Sequence, residues 1–154
     1  TYSTYIFVCD NVKPATDLAY FQMRFSTDAG ATYDSGASAY DWVVQGWNSS
    51  NSNLQTGKVS TFIGLTHDAG NADAGVGNAA AEFGVTGEIT LYSAATASVR
   101  SRVVTALAYD NGSGNAVIMN GSGRRNAAQD TDAVRFLFSA GNITSGTIRM
   151  YGLA

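Results

Sequence analysis

The amino-acid sequence predicts an all-β fold, an antiparallel β-sandwich or jelly roll of about eight or nine strands. Short apolar stretches alternate with polar residues at the two-residue period of a β-strand, and clusters of Gly, Asn, Asp and Ser separate them. No helical period extends over three turns, and strands at this spacing are typical of sandwiches. Because the 154 residues contain no internal repeat and no linker, we expect a single domain over residues 1–154.

The first half of the chain contains several stretches expected to be strands. Tyr5–Cys9 is wholly apolar, whereas Leu18–Phe25 alternates as a half-exposed antiparallel strand does. Tyr40–Trp47 is aromatic and apolar, and the polar run Asn48–Asn53 that follows it is expected to be a loop. Val59–Leu65 is the next predicted strand. The Ala- and Gly-rich residues after it predict little regular structure.

The second half alternates more clearly. Its predicted strands are Glu88–Tyr92, Ser98–Tyr109, Val117–Met119, Val134–Phe138 and Thr147–Tyr151. The turn residues between the last two strands predict that they form a hairpin, with one buried face and one solvated face on each strand. A terminal strand this apolar is expected to be paired in a sheet.

One local motif is more specific than the rest. The segment Ser26-Thr-Asp-Ala-Gly-Ala-Thr-Tyr33 fits the Asp-box pattern S-x-D-x-G-x-T-W, with Tyr33 where the pattern has Trp. We expect Asp28 to accept hydrogen bonds from backbone N–H groups of the turn and Gly30 to take a positive φ. Thr32 and Tyr33 should then begin a strand, with the aromatic ring over the loop. One copy does not indicate a propeller, so its role is expected to be structural.

Composition and charge exclude several partners. Only 14% of the residues are charged, against about a quarter in ordinary domains, which favours a surface of Ser, Thr, Asn and Gly like that of many extracellular and virion proteins. With a net charge of −3 the chain lacks the basic footprint that nucleic acid requires. No apolar run is long enough to insert into a membrane. Cys9 is the single cysteine and is expected to be a buried thiol.

The sequence does not indicate catalysis or a cofactor, and the only metal it leaves open is calcium, at Asp68–Asp73 or around Asp110, where neither stretch matches EF-hand spacing. His67 is the only histidine, and it lies in a Gly/Asp loop where a solvated role is more common than a catalytic triad. Nearly all the aspartates adjoin turn residues, where capping of the backbone explains them. One His and one Cys disfavour zinc, and no Gly-rich stretch opens a helix to hold phosphate. We therefore expect a protein that is not an enzyme.

Sugar binding is the better candidate for a function, at an aromatic segment beside a polar run. The candidate ligand-binding residues are Tyr40, Trp42, Trp47, Asn48 and Asn51. Aromatic rings stack on the apolar faces of a sugar while amides bind its hydroxyl groups. Strand alternation places Tyr40 and Trp42 on one face and Trp47 on the other, unless Gly46 breaks the strand. The alternative is that both indoles are core residues and the polar run is only a loop.

Three stretches of the chain carry a resemblance to a known kind of module: Tyr5–Asp17, Arg24–Trp42 and Asp132–Leu153. They resemble a β-sandwich module of tailed-bacteriophage and prophage virion proteins, such as tail-fibre-like and other surface structural proteins. The resemblance implies a non-enzymatic structural protein of the virion surface, either a fibre or attachment module or a capsid decoration protein. Relatives have a further strand before Tyr2, so it also implies a fragment of a longer protein. No catalytic residue is carried over.

These expectations combine into one functional hypothesis and one alternative. The hypothesis is a virion module that forms a homo-oligomer, expected to be a trimer, that contacts other virion proteins and that binds a host-surface glycan. The strand Ser98–Tyr109 is the expected subunit interface. The alternative is a carbohydrate-binding module of a secreted protein. A glycosidase is a weaker third possibility, because its carboxylates are present only by count.

Overall fold

The computed structural model describes residues 2–69 and 72–153, which form ten antiparallel strands in two sheets. The strands are β1 (Thr4–Pro14), β2 (Phe21–Ser26), β3 (Tyr40–Asn48), β4 (Asn53–Ser60), β5 (Ile63–Gly64), β6 (Val85–Tyr92), β7 (Arg102–Asp110), β8 (Ala116–Arg125), β9 (Ala133–Phe138) and β10 (Ile143–Leu153). No helix occurs in the described residues, and none could therefore span a membrane. The predicted all-β sandwich is confirmed.

The two sheets differ in size. The large sheet has the strand order β10-β1-β6-β7-β8-β3-β4, and the small sheet has the order β5-β2-β9. At one side Phe136 of β9 packs on Phe7 of β1, with ring centroids 5.2 Å apart. At the other side Gly64 of β5 lies against the indole of Trp42, where a Cβ would come within 2.6 Å of the ring. The small sheet therefore covers the large sheet from β1 to β3.

The core lies between the sheets and follows from strand alternation. In β3 and β7 every second side chain is buried, and the intervening ones point to the opposite face. The small sheet contributes aromatic rings: Phe21 is stacked on Phe136 at 5.7 Å and tilted against Phe138 at 5.0 Å. Burying each such side chain contributes about 1.5–3 kcal/mol. The core thus buries the inner face of the large sheet and leaves the outer face without a covering layer.

The predicted C-terminal hairpin is wrong. β9 pairs with β2 in the small sheet, whereas β10 pairs with β1 in the large sheet. The turn between Phe138 and Ile143 therefore carries the chain from one sheet to the other. β10 is paired in a sheet, as expected, but it is an edge strand and is largely exposed, with Met150 62% accessible. Its two faces are not divided into a buried one and a solvated one.

The predicted strand Val59–Leu65 is also wrong. β4 already begins at Asn53 and ends at Ser60, and a bend separates it from the two residues of β5. β4 is the other edge of the large sheet, where most side chains remain solvated and a polar sequence is tolerated. The polar run before Asn53 does form a turn, as expected.

Candidate functional site

The outer face of the large sheet takes no part in the core between the two sheets. Within residues 2–69 and 72–153, no layer packs on this face, and several large apolar side chains lie exposed on it. They include Val43, Trp47, Val59, Tyr92, Val104, Ile118, Tyr151 and Leu153. Exposed apolar groups collected on one face are typical of a binding surface.

Trp47 is the largest of these side chains. It lies near the end of β3 with 50% of its surface accessible. The strand register places Ile118 of β8 on one side of it and Asn53 of β4 on the other. Gly46 keeps the regular alternation, so Trp47 points outward and Trp42 inward, as the alternation of the sequence predicts.

Four amide side chains surround Trp47. Gln45 lies directly between Gln55 of β4 and Asn120 of β8, and Asn53 is the cross-strand neighbour of Trp47 itself. All four are exposed, and none donates or accepts a side-chain hydrogen bond with another group in the described part of the chain. They line a shallow depression of about 300 Å³ together with Trp47 and Ile118. We call these six residues the Trp47 patch.

The prediction that Tyr40 and Trp42 bind a ligand is wrong, because both side chains belong to the core. Tyr40 is completely buried, and its hydroxyl accepts a hydrogen bond from the backbone N–H of Phe25 at 2.8 Å. Burial raises the pKa of this hydroxyl to about 12. Trp42 is 4% accessible, and its Nε1 donates to Ser60 Oγ at 2.9 Å. Neither ring can stack on a sugar.

The two asparagines predicted to bind a ligand differ in exposure. Asn48 is buried, and its Oδ1 accepts hydrogen bonds from Ser50 Oγ at 2.7 Å and from the Ser52 N–H at 2.9 Å. It caps the turn between β3 and β4, so its assignment to a ligand is wrong. Asn51 is exposed in the same turn with a φ of 67°, a conformation that Asn adopts more easily than most residues.

The predicted site therefore retains Trp47 and gains neighbours from other strands. Gln55, Asn53 and Asn120 lie 6 to 73 residues away in the sequence, and only the strand pairing brings them beside the indole. The sequence contains no local signal for this pairing. Gln45 lies within the aromatic segment Tyr40–Trp47, so the sequence alone places one amide close to the indole.

The Asp-box segment forms the expected turn. The Thr32 N–H donates to Asp28 Oδ1 at 2.8 Å, and the Thr32 hydroxyl donates to Asp28 Oδ2 at 2.6 Å. These bonds from Thr32, and the one from Ser26, lower the pKa of Asp28 to about 2. Gly30 has the expected positive φ of 87°, and the Tyr33 ring lies against it. The turn lies at the end of β2, outside the outer face of the large sheet.

One part of that expectation is wrong. Thr32 and Tyr33 begin no strand, and the chain continues without regular structure until Tyr40. The segment is instead docked by contacts from outside it. The Ala29 N–H donates to Asp132 Oδ2 at 2.9 Å, and the Arg135 guanidinium lies 5.4 Å from the centre of the Tyr33 ring. Tertiary contacts hold this segment, so it needs no strand partner.

Cys9 and His67 carry the side chains with the most chemical reactivity, and both have structural roles here. Burial raises the pKa of the Cys9 thiol to about 12, and the thiol faces the core from β1. His67 Nδ1 accepts a hydrogen bond from the Ala69 N–H at 3.1 Å, which fixes the local loop. Within the described ranges, no group of three or more His, Cys, Asp or Glu residues could hold a metal ion.

Comparison with known proteins adds no relative. No protein-family profile, no curated protein and no solved structure matches the chain. The candidate site therefore rests on its own geometry.

Proposed function

We propose that the chain is a non-enzymatic structural module of a bacteriophage virion surface, a fibre or attachment module or a capsid decoration protein, that contacts a host-surface glycan. The resemblance of three sequence stretches to virion modules supports the setting. One observation supports a glycan as the ligand. An exposed indole, Trp47, is surrounded by amide side chains that have no hydrogen-bond partner in the described residues. Stacking surface and hydrogen-bonding groups together are what a saccharide requires.

The expected affinity of one copy is low. A single stacking aromatic contributes about 1 kcal/mol beyond the area it buries, and the patch is shallow. Such a site becomes effective when several copies bind one surface at the same time, because linked binding events raise the overall affinity without new contacts. Repeated display on a particle supplies that condition.

We further propose that the module is a homo-oligomer, with a trimer as the expected state, that joins other virion proteins. The interface expected on Ser98–Tyr109 loses three of its apolar residues, because Val103, Leu107 and Tyr109 are core residues, whereas Val99 and Val104 are exposed. The free edge β10 is the better surface: it is eleven residues long and exposes Met150. Long exposed edges pair readily with another chain. A cleft of about 540 Å³ opens beside this edge.

A carbohydrate-binding module of a secreted protein remains the alternative, since the Trp47 patch suits it equally. Assembly distinguishes the two. Gold-labelled antibodies against the chain should decorate intact phage particles at a symmetric ring of positions. A chain absent from purified particles, and monomeric at micromolar concentration, would support the secreted module and contradict the virion proposal.

The glycan part is tested on an array of host-surface glycans with the chain displayed in many copies. The parent should bind a defined subset, and Trp47→Ala should lose that binding while remaining folded. Phe83→Ala is the matched control, because Phe83 is a similarly exposed aromatic in the loop before β6. Binding by Trp47→Ala that equals binding by the parent would exclude the patch as the site.

A further inference from the structure

A second feature lies on the same outer face, at the opposite end of β3 from Trp47. Arg102 of β7 is directly across from Arg124 of β8, and Arg124 is directly across from Asp41 of β3. Arg100 precedes β7 and is close enough to Asp41 to contribute to lowering its pKa, after the larger effects of hydrogen bonds from Asn126 and Arg124. We call Arg100, Arg102, Arg124 and Asp41 the arginine corner.

Both oxygens of the carboxylate of this corner already accept hydrogen bonds. Asp41 Oδ2 accepts a hydrogen bond from Arg124 Nε at 3.0 Å, and Asp41 Oδ1 accepts one from Asn126 Nδ2 at 2.9 Å. Arg102 is exposed and has no carboxylate partner within the described residues. The corner therefore has three arginines, of which Arg124 holds the one carboxylate, and it carries an excess of positive charge on a chain whose net charge is −3.

Two arginine side chains directly opposite each other repel, and a bound anion would relieve that repulsion. Side chains directly opposite each other on an antiparallel pair lie about 5 Å apart at Cβ, and like charges there destabilise the sheet. The chain has few charged residues, so a neutral side chain at position 102 would be the ordinary solution. The corner also adjoins a depression of about 360 Å³ that reaches Ser122 and Val43. Guanidinium groups bind carboxylate and phosphate through paired N–H donors.

We propose that the arginine corner is the anion subsite of the outer face, so that the glycan it recognises is an acidic polymer bearing carboxylate or phosphate groups. This inference rests on the glycan-binding function proposed above. Asp41 and Trp47 are six residues apart on β3, which is about 20 Å along a strand. A ligand that reaches both the indole and the arginines is therefore a chain of several units, with its sugar rings at the patch and an anionic group at the corner.

The test is an array printed with neutral, carboxylated and phosphorylated glycans, probed with the parent and with Arg102→Ala. The parent should bind acidic glycans, and Arg102→Ala should weaken that binding about fivefold, as the loss of one exposed charge contact does. Arg102→Lys keeps the charge without the forked donors and should be intermediate. The two acidic arms identify whether the anion is a carboxylate or a phosphate. The Arg102 side chain is exposed and forms no hydrogen bond or ion pair within the described residues, so these variants are expected to fold.

Arg149→Ala is the matched control, because it removes the same charge from the same face at β10, where Arg149 lies 4.0 Å from Asp10. Equal loss of binding by Arg149→Ala and Arg102→Ala would overturn the subsite in favour of bulk charge. Hits among neutral glycans only, lost in Trp47→Ala but not in Arg102→Ala, would overturn the subsite and leave the glycan function standing. No binding to any glycan would remove both.

Discussion

The two faces of β3 use the same residue type in opposite ways. On the inner face the Trp42 indole packs against Phe62 and Gly64, and its Nε1–H donates a hydrogen bond to Ser60 Oγ. On the outer face, five residues later, the Trp47 indole is half exposed among amides. Strand parity places the two indoles on opposite faces, and the small sheet covers only the face of Trp42. The inner face supplies stability, and the outer face is available for recognition.

The neighbouring arginines of β8 repeat this contrast. Arg125 points inward, has 2% of its side chain accessible, forms an ion pair with Asp34 and donates to the Asp130 carbonyl at 3.0 Å. Arg124 points outward and pairs with Asp41 at a partly exposed position. One guanidinium fastens two loops to the sandwich, and the other belongs to the surface proposed to bind an anion.

The largest expected effect is on the inner indole. Trp42→Ala should lower the free energy of unfolding by about 3–5 kcal/mol, because it leaves a cavity between the sheets. Urea denaturation followed by circular dichroism measures this loss. Trp47→Ala is the control, and its unfolding midpoint should stay close to that of the parent. Equal destabilisation by the two variants would contradict the division between the faces.

The next effect concerns the two arginines. Asp34→Ala leaves the buried Arg125 guanidinium without its carboxylate and should cost about 2–3 kcal/mol. Asp41→Ala removes an exposed partner of Arg124, and its effect on thermal unfolding should be much smaller. The two melting temperatures, measured side by side, make the comparison. A larger drop for Asp41→Ala would mean that the outer pair holds the fold.

A smaller effect is expected at the turn after β2. The pKa of Asp28 is about 2 in the folded chain, against an ordinary value of 3.8, so its ionised form stabilises the fold above about pH 4. That contribution is lost as the pH falls from about 4 through 2. Asp28→Ala should lower the melting temperature by a few degrees at pH 7, and the difference from the parent should shrink towards pH 2. Glycan binding should be unchanged, because the turn lies away from the outer face.

Strand alternation made the fold class and part of the site predictable from the sequence. It placed Tyr40 and Trp42 on one face and Trp47 on the other, and the structure has that division. It could not indicate which face the small sheet covers, because both faces of β3 carry apolar groups. The choice is made by distant residues such as Gly64, whose missing side chain admits the Trp42 ring.

The C-terminal strands show why pairing was harder to predict. Two alternating strands around a Gly/Asn turn favour a hairpin, yet β9 and β10 belong to different sheets. Phe136 and Phe138 pack beside Phe21 within the small sheet, and Phe136 also packs on Phe7 across the core, so this packing outweighs the local turn preference. The same limitation hid the amides from β4 and β8, because strand register is a tertiary property.

The most direct test of the outer face as a recognition surface is oxidative footprinting of the two indoles, read by mass spectrometry. In the free chain, Trp47 should oxidise readily and Trp42 hardly at all, as their exposure requires. Addition of a glycan found on the array should protect Trp47 and leave Trp42 unchanged. A bound glycan that leaves Trp47 oxidation as fast as before, or an intact particle in which Trp47 is already protected before any host is added, would contradict the account.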